Sequence, residues 1–188
     1  MGNREIGVIG RRYAPHLRHL MQFGRFCVQW VSFRRSETGM ACLHEWAEQC
    51  LDWCFAYAEP DRYGDQKYLD TWPTQYGDKL TIIQTLGAGV APWNFTQYKF
   101  TQDAQGIQVN QQALVFYHFH QFKKMRFGLF SHCSHFYTQG RPTPTTIYRA
   151  YEVALNAAHG DVMGETGLPQ AGVTPIFEVI KTRLGHFL

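Results

Sequence analysis

The sequence has no uninterrupted run of about 18 apolar residues, so nothing in it reads as a membrane-spanning helix. The N-terminus lacks the apolar stretch of a secretory signal peptide, which predicts a cytoplasmic chain. Charge is scarce. Only 18% of the 188 residues are charged and the formal net charge is +3, which argues against a nucleic-acid partner. Neither a G-x-G-x-x-G run, nor a P-loop, nor a G-x-S-x-G nucleophile elbow is present. Internal repeats and low-complexity tracts are missing too. Five cysteines, an odd count without an export signal, predict reduced thiols rather than a disulfide framework.

What is present is apolar and unusually aromatic. Hydrophobic residues make up 45% and aromatics 15% of the chain, enough to build a real core and to exclude wholesale disorder. Residues Ile6–Ile9 read as a strand running into a basic, aromatic loop. Phe26–Phe33 is rich in aromatic and β-branched residues and reads as a second strand. Leu43, Trp46, Ala47, Cys50, Cys54 and Tyr57 recur at steps of three and four, which predicts a helix stopped by Pro60. Asp65 stands where an N-cap belongs, before a short helical segment that Pro73 ends. Lys79–Thr85 reads as a strand. Tyr98–Thr101 and Ile107–Val109 flank a turn as short paired strands, and Ala113–Phe119 has the continuous apolar character of a buried strand. Residues 131–146 read as a loop and Thr146–His159 as a helix. A Gly-rich linker over 160–173 precedes a last amphipathic helix over 174–187. Helices and strands alternate loosely, which favours an α/β fold. The expected organisation is a domain over 1–160, then a linker and C-terminal helix over 161–188.

Four groups of residues suggest chemistry. Asp65 and Gln66 place a carboxylate beside an amide that both donates and accepts, a pair suited to sugar hydroxyls; plain capping is the alternative. Trp93 and Asn94 close the turn Gly87-Ala-Gly-Val-Ala-Pro-Trp-Asn94 and offer a flat apolar face with a bidentate amide; the alternative is a tryptophan that plugs the core. His118 and His120, on one face of the expected strand, are followed by Lys123 and Lys124. That set fits a metal or diphosphate corner, or two structural histidines. Cys50 and Cys54, with two of His132, Cys133 and His135, offer a candidate zinc set, although C-x3-C inside a helix is not a zinc-ribbon spacing.

Taken in order, WVSFRR (30–35), CLHEWAEQCLDWC (42–54), YGDQKYLDTWP (63–73), GAGVAPWN (87–94) and VFYHFHQFK (115–123) resemble bacterial nucleotide-diphospho-sugar glycosyltransferases of GT-A-like fold. The resemblance runs from about Ile6 to the helix ending near His159. It implies a partial GT-A-like α/β fold, a short mixed sheet flanked by helices. It implies that Asp65 and Gln66 sit in the active site and that His118, with His120 as the weaker candidate, meets a divalent metal (Mn or Mg) and the diphosphate. Lys123 or Lys124 supplies the cation, and Trp93 and Asn94 line the sugar or acceptor cleft. The partners it implies are a nucleotide-diphosphate sugar and a glycan or lipid-linked acceptor.

The chain departs from that family in one major respect. The family's nucleotide-binding half ends in a D-x-D metal motif, and this sequence has no D-x-D. Cys27 and Gln29 also stand where relatives tend to carry Asn and Gly. The expectation is therefore the second half of such an enzyme, completed by a nucleotide-binding part or else inactive. Self-association or a partner subunit is expected at the incomplete sheet. The 174–187 helix is the candidate for a peripheral contact with the inner membrane face, against packing on its own domain. The alternatives are a non-catalytic carbohydrate-binding module and a zinc-stabilised interaction module.

Overall fold

The computed structural model describes residues 2–125 and 128–166, with side chains through residue 160. The expected C-terminal helix, and the membrane contact attached to it, lie outside the described residues. The fold is mixed α/β. Its main sheet has three strands, β1 (Ile6–Gly10), β2 (Phe26–Phe33) and β3 (Leu80–Ile83), in the order β2-β1-β3. β1 pairs antiparallel with β2 and parallel with β3, so the sheet is short and mixed, as expected.

Central β1 is sealed, with no exposure at Ile6, Val8 or Ile9. Alternate residues of a strand face opposite ways, so buried neighbours at 8 and 9 mean that both faces are covered there. Val8 joins Phe26, Cys42, Leu69 and Trp72 in one core cluster. Ile9 lies against the turn at Gly89. The β1–β2 register shifts between Val8 and Ile9, a bulge that bends the strand. Gly10 is then opposite Phe26, and Arg11 leaves the sheet with its N–H donating to Arg25 O at 2.9 Å. The expected loop after β1 contains a 3-10 helix, Pro15–Phe23.

Helix α1 (Glu37–Asp52) starts at Ser36, whose hydroxyl accepts from the Gly39 N–H at 3.2 Å. It ends earlier than the apolar stripe predicts. Its last helical bond runs from the Trp53 N–H to Gln49 O at 2.9 Å, and the Tyr68 hydroxyl then holds the carbonyls of Gln49 (3.2 Å) and Trp53 (2.8 Å) at the helix end. Trp53 is extended and packs edge-on with Phe55 and Tyr57 under Arg62. Asp65 is not a cap. A 3-10 turn, Lys67–Thr71, has Gln66 at its cap position with no side-chain capping bond. Pro73 does not end the segment but stands in the first turn of α2 (Trp72–Tyr76), where a missing N–H has no helical partner to lose.

The second half holds a three-stranded meander of β4 (Phe100–Asp103), β5 (Gly106–Val109) and β6 (Gln112–Ala113), in which the β4–β5 pair is the one expected and β6 is added. The expected buried strand 113–119 does not form. Its amides are taken by the neighbouring turn instead: those of Val115 and Phe116 donate to Gly87 O, and that of His118 to Val90 O. Val115 is 61% exposed. A two-stranded ribbon follows, β7 (Lys123–Lys124) with β8 (Phe130–Ser131). The expected loop 131–146 contains a short helix, α3 (His135–Thr138), capped by the Ser134 hydroxyl. Helix α4 (Thr145–Thr166) runs on through the first residues of the expected linker. Tyr148 of α4 is fully buried with Val90, Val109 and Tyr117.

Candidate functional site

The strand-end residue Arg11 organises the site. It is 8% exposed. Its Nε donates to Phe26 O at 3.2 Å and its Nη2 to Gln66 Oε1. Its guanidinium carbon lies 4.8 Å from the centre of the Trp93 ring, in cation–π range. None of the ion pairs among the described residues includes it.

Trp93 is presented by the 87–94 turn, and Asn94 fixes that turn. The Asn94 side chain accepts from the Ala91 N–H at 2.9 Å and donates to Arg11 O (2.9 Å) and Gly89 O (3.0 Å). With no exposed surface and its amide committed at both ends, Asn94 ties the turn to the exit of β1 rather than facing a ligand. Trp93 is 1% exposed, so it backs the site and offers no open stacking face. Gly89 adopts φ +74°, where glycine is favoured, and a Cβ there would come within 2.7 Å of Gln29 Nε2.

His118 and His120 meet the same indole, with ring centres 5.2 and 5.3 Å from Trp93. The two imidazoles lie nearly parallel, 6.0 Å apart. Their common side comes from a tight turn, in which the His120 N–H donates to His118 O at 2.9 Å, and not from a strand. His120 Nε2 is 3.2 Å from the Tyr137 hydroxyl. Burial, then His118 and Arg11, pushes His120 down to about 4; burial and Arg11 lower His118. Both are neutral at pH 7, which suits them to hydrogen bonding rather than to salt bridges. Burial raises the Cys27 thiol and pushes Tyr13 up to about 12, so neither is an anion here.

Gln66 anchors to Phe23 O through Nε2 at 2.8 Å, which leaves its oxygen to Arg11. Asp65 is next to it. The Asp65 carbonyl accepts from Trp46 Nε1 at 2.8 Å, while its half-exposed carboxylate makes no hydrogen bond among the described residues. The charge of Asp65 is felt by Cys27 and also by Cys50 of α1. Gln66, Trp93, His118 and His120 converge on Arg11, and Asp65 adjoins Gln66 in the chain. Lys123 and Lys124 lie in β7 and share no hydrogen bond or ion pair with that group among the described residues. Sequence reasoning missed Arg11, Tyr13 and Tyr137. Two arginines directly after a strand were a usable signal for the first; nothing local marks Tyr137.

Among the described residues no three of His, Cys, Asp and Glu gather for an ion, so the expected zinc set does not come together there and the His118–His120 pair meets no third such ligand there. His132 is engaged elsewhere, 2.6 Å from Thr143 Oγ1 and 2.7 Å from Glu152 Oε1, clasping its loop to α4.

Two proteins of Bacillus subtilis (strain 168) resemble this chain. "Uncharacterized protein YfnD" is 28% identical over 134 residues, 70% of this chain and 43% of that protein. "Uncharacterized protein YfnF" is 32% identical over 97 residues, 51% of this chain and 32% of that protein. The chain thus spans less than half the length of these relatives. No family model matches it, and no solved structure does.

Proposed function

We propose that this chain is the acceptor-side part of a glycosyltransferase, working on a nucleotide-diphosphate sugar and a glycan or lipid-linked acceptor. The reading rests on one observation. Gln66 and the His118–His120 pair, far apart in sequence, meet around Arg11 and Trp93. In this reading the free carboxylate of Asp65 orients the acceptor hydroxyl and takes its proton if the transfer inverts. Gln66, fixed by Phe23 and Arg11, hydrogen-bonds the transferred sugar. His118 donates a hydrogen bond to the leaving diphosphate, and no step is routed through a metal. Burial of Trp93 weighs against a binding module that would stack sugars on it.

The nucleotide-binding part is a second element of the proposal. A groove of about 730 Å³ runs over the outer side of the sheet, lined by Trp30, Ile82, Ile83, Val115 and Phe116. Trp30 is 48% exposed and stacks on Phe116. Since the relatives are more than twice as long as the region they share with this chain, the groove is assigned to the polypeptide that supplies the nucleotide-binding half. The test is a binding and transfer assay over a panel of sugar nucleotides with Mn²⁺, using the chain alone and together with the remaining part of YfnD. Donor binding that is abolished in Q66A and D65N is expected; no binding and no transfer under either condition removes the reading.

A further inference from the structure

The charge of Arg11 is met by no anion among the described residues. A guanidinium stays protonated in proteins, and taking one out of water is costly unless an anion accompanies it. Arg11 is more than nine-tenths buried, yet the titratable groups whose fields it reaches are Tyr13, Cys27, His118, His120 and Tyr137, all uncharged at neutral pH. Asp65 is felt by Cys27 but forms no ion pair with Arg11. Two of the guanidinium nitrogens are committed, to Phe26 O and Gln66 Oε1, and the side chain also hydrogen-bonds Tyr13, so every group it meets is neutral. One donor of the same cluster is unanswered: Trp93 Nε1 is sealed from solvent and has no acceptor among the described residues. A buried cation, an orphan indole N–H and neutral imidazoles able to donate gather here with no anion among the described residues.

We infer that Arg11 is the anchor of an oxyanion site at this cluster, and that its ligand is a phosphate-type group that supplies the missing anion. The inference deepens the glycosyltransferase reading and rests on it for the source of the phosphate: the diphosphate of the donor, or a phosphate carried by the acceptor. It assigns the binding charge to Arg11 rather than to Lys123 or Lys124. The planar fork of arginine is suited to such a group, whereas lysine offers only a point charge.

The experiment is calorimetric titration of the full chain with pyrophosphate, UDP and glucose 6-phosphate. It compares the wild type with R11K, R11Q and, as a control for lost surface charge, R18A, which removes an exposed cation of the 3-10 helix. Thermal melts show which variants are folded, and R11K, which keeps the charge, covers the case in which R11Q is not. Binding weakened about tenfold or more in R11K and unchanged in R18A is expected. Tighter binding of pyrophosphate and UDP than of glucose 6-phosphate assigns the site to the donor; the reverse order assigns it to the acceptor. Wild-type protein that binds none of the three, or R11K that binds as tightly as wild type, overturns the inference. The two readings fail separately. Pyrophosphate bound through Arg11 without any sugar-nucleotide binding keeps the oxyanion site and removes glycosyl transfer. Sugar nucleotides bound equally by wild type and R11K do the opposite.

Discussion

Asn94 shows how a polar residue becomes structural. Its amide holds three backbone groups in a place without water, so truncation leaves an N–H and two carbonyls unanswered. N94A is expected to cost about 2–4 kcal/mol, read from the urea midpoint, since each unsatisfied buried group costs about 1–3 kcal/mol. Because Asn94 bridges Gly89 and the Arg11 carbonyl, the same change should also loosen Trp93, visible as a shift in tryptophan emission. His120 gives a pH signature. Its folded value is pushed down to about 4, below the ordinary value of about 6.5, so the unfolded chain binds the extra proton first. Stability from this group is complete above about pH 6.5 and is lost as pH falls toward 4, and His118 acts in the same direction. Urea melts at pH 7 and pH 5 should show that loss, and H120N should reduce it. An unchanged pH dependence in H120N would show that His120 is not the group responsible.

Among the elements, α1 and the 87–94 turn depend on glycines that admit a neighbour's backbone. A Cβ on Gly39 would sit 2.2 Å from Arg34 O, and one on Gly87 would sit 1.9 Å from Ala113 O. Neither oxygen belongs to a flexible side chain, so something in the backbone must shift. G87A is expected to destabilise by about 1–3 kcal/mol and to free the Val115 and Phe116 amides that now reach Gly87 O, which amide hydrogen exchange would detect. At the start of α1, S36A removes the cap and a 2.5 Å hydrogen bond to Glu5, at a cost of about 1 kcal/mol in the same assay. Glu5 also pairs with Lys79 at 2.8 Å, which joins the entry of β1 to that of β3. The bond to Lys79, first, and that to Ser36 hold its carboxyl down at about 2, so its contribution is lost only as pH falls from about 4.5 toward 2.

For the whole molecule, the informative surface is the outer side of the sheet. W30E places a charge in the groove of Trp30 and Phe116 without touching the Arg11 cluster. It is expected to abolish co-purification with the proposed nucleotide-binding part while leaving the chain's own melting temperature within a few degrees. Co-purification that survives W30E would assign that face to something else.

The sequence by itself determined the alternation of β1, β2 and β3 with α1, the β4–β5 pairing and the long helix α4. These are local matters of apolar period, β-branching and turn chemistry, which act over a few residues. It also pointed to Gln66, Trp93 and His118 as residues to watch. Tertiary structure alone decided their roles. The strand expected over 113–119 lost its amides to the 87–90 turn, and α1 stopped at Asp52, where Trp53 turns extended and the Tyr68 hydroxyl holds its carbonyl. Asn94 became a staple, and the lysines after His120 ended in a separate ribbon. Arg11 drew no notice as a side chain because its meaning is relational. A guanidinium after a strand is ordinary until the fold buries it against Trp93 and Gln66 with no anion beside it among the described residues, and that is a property of long-range packing which no window of sequence contains.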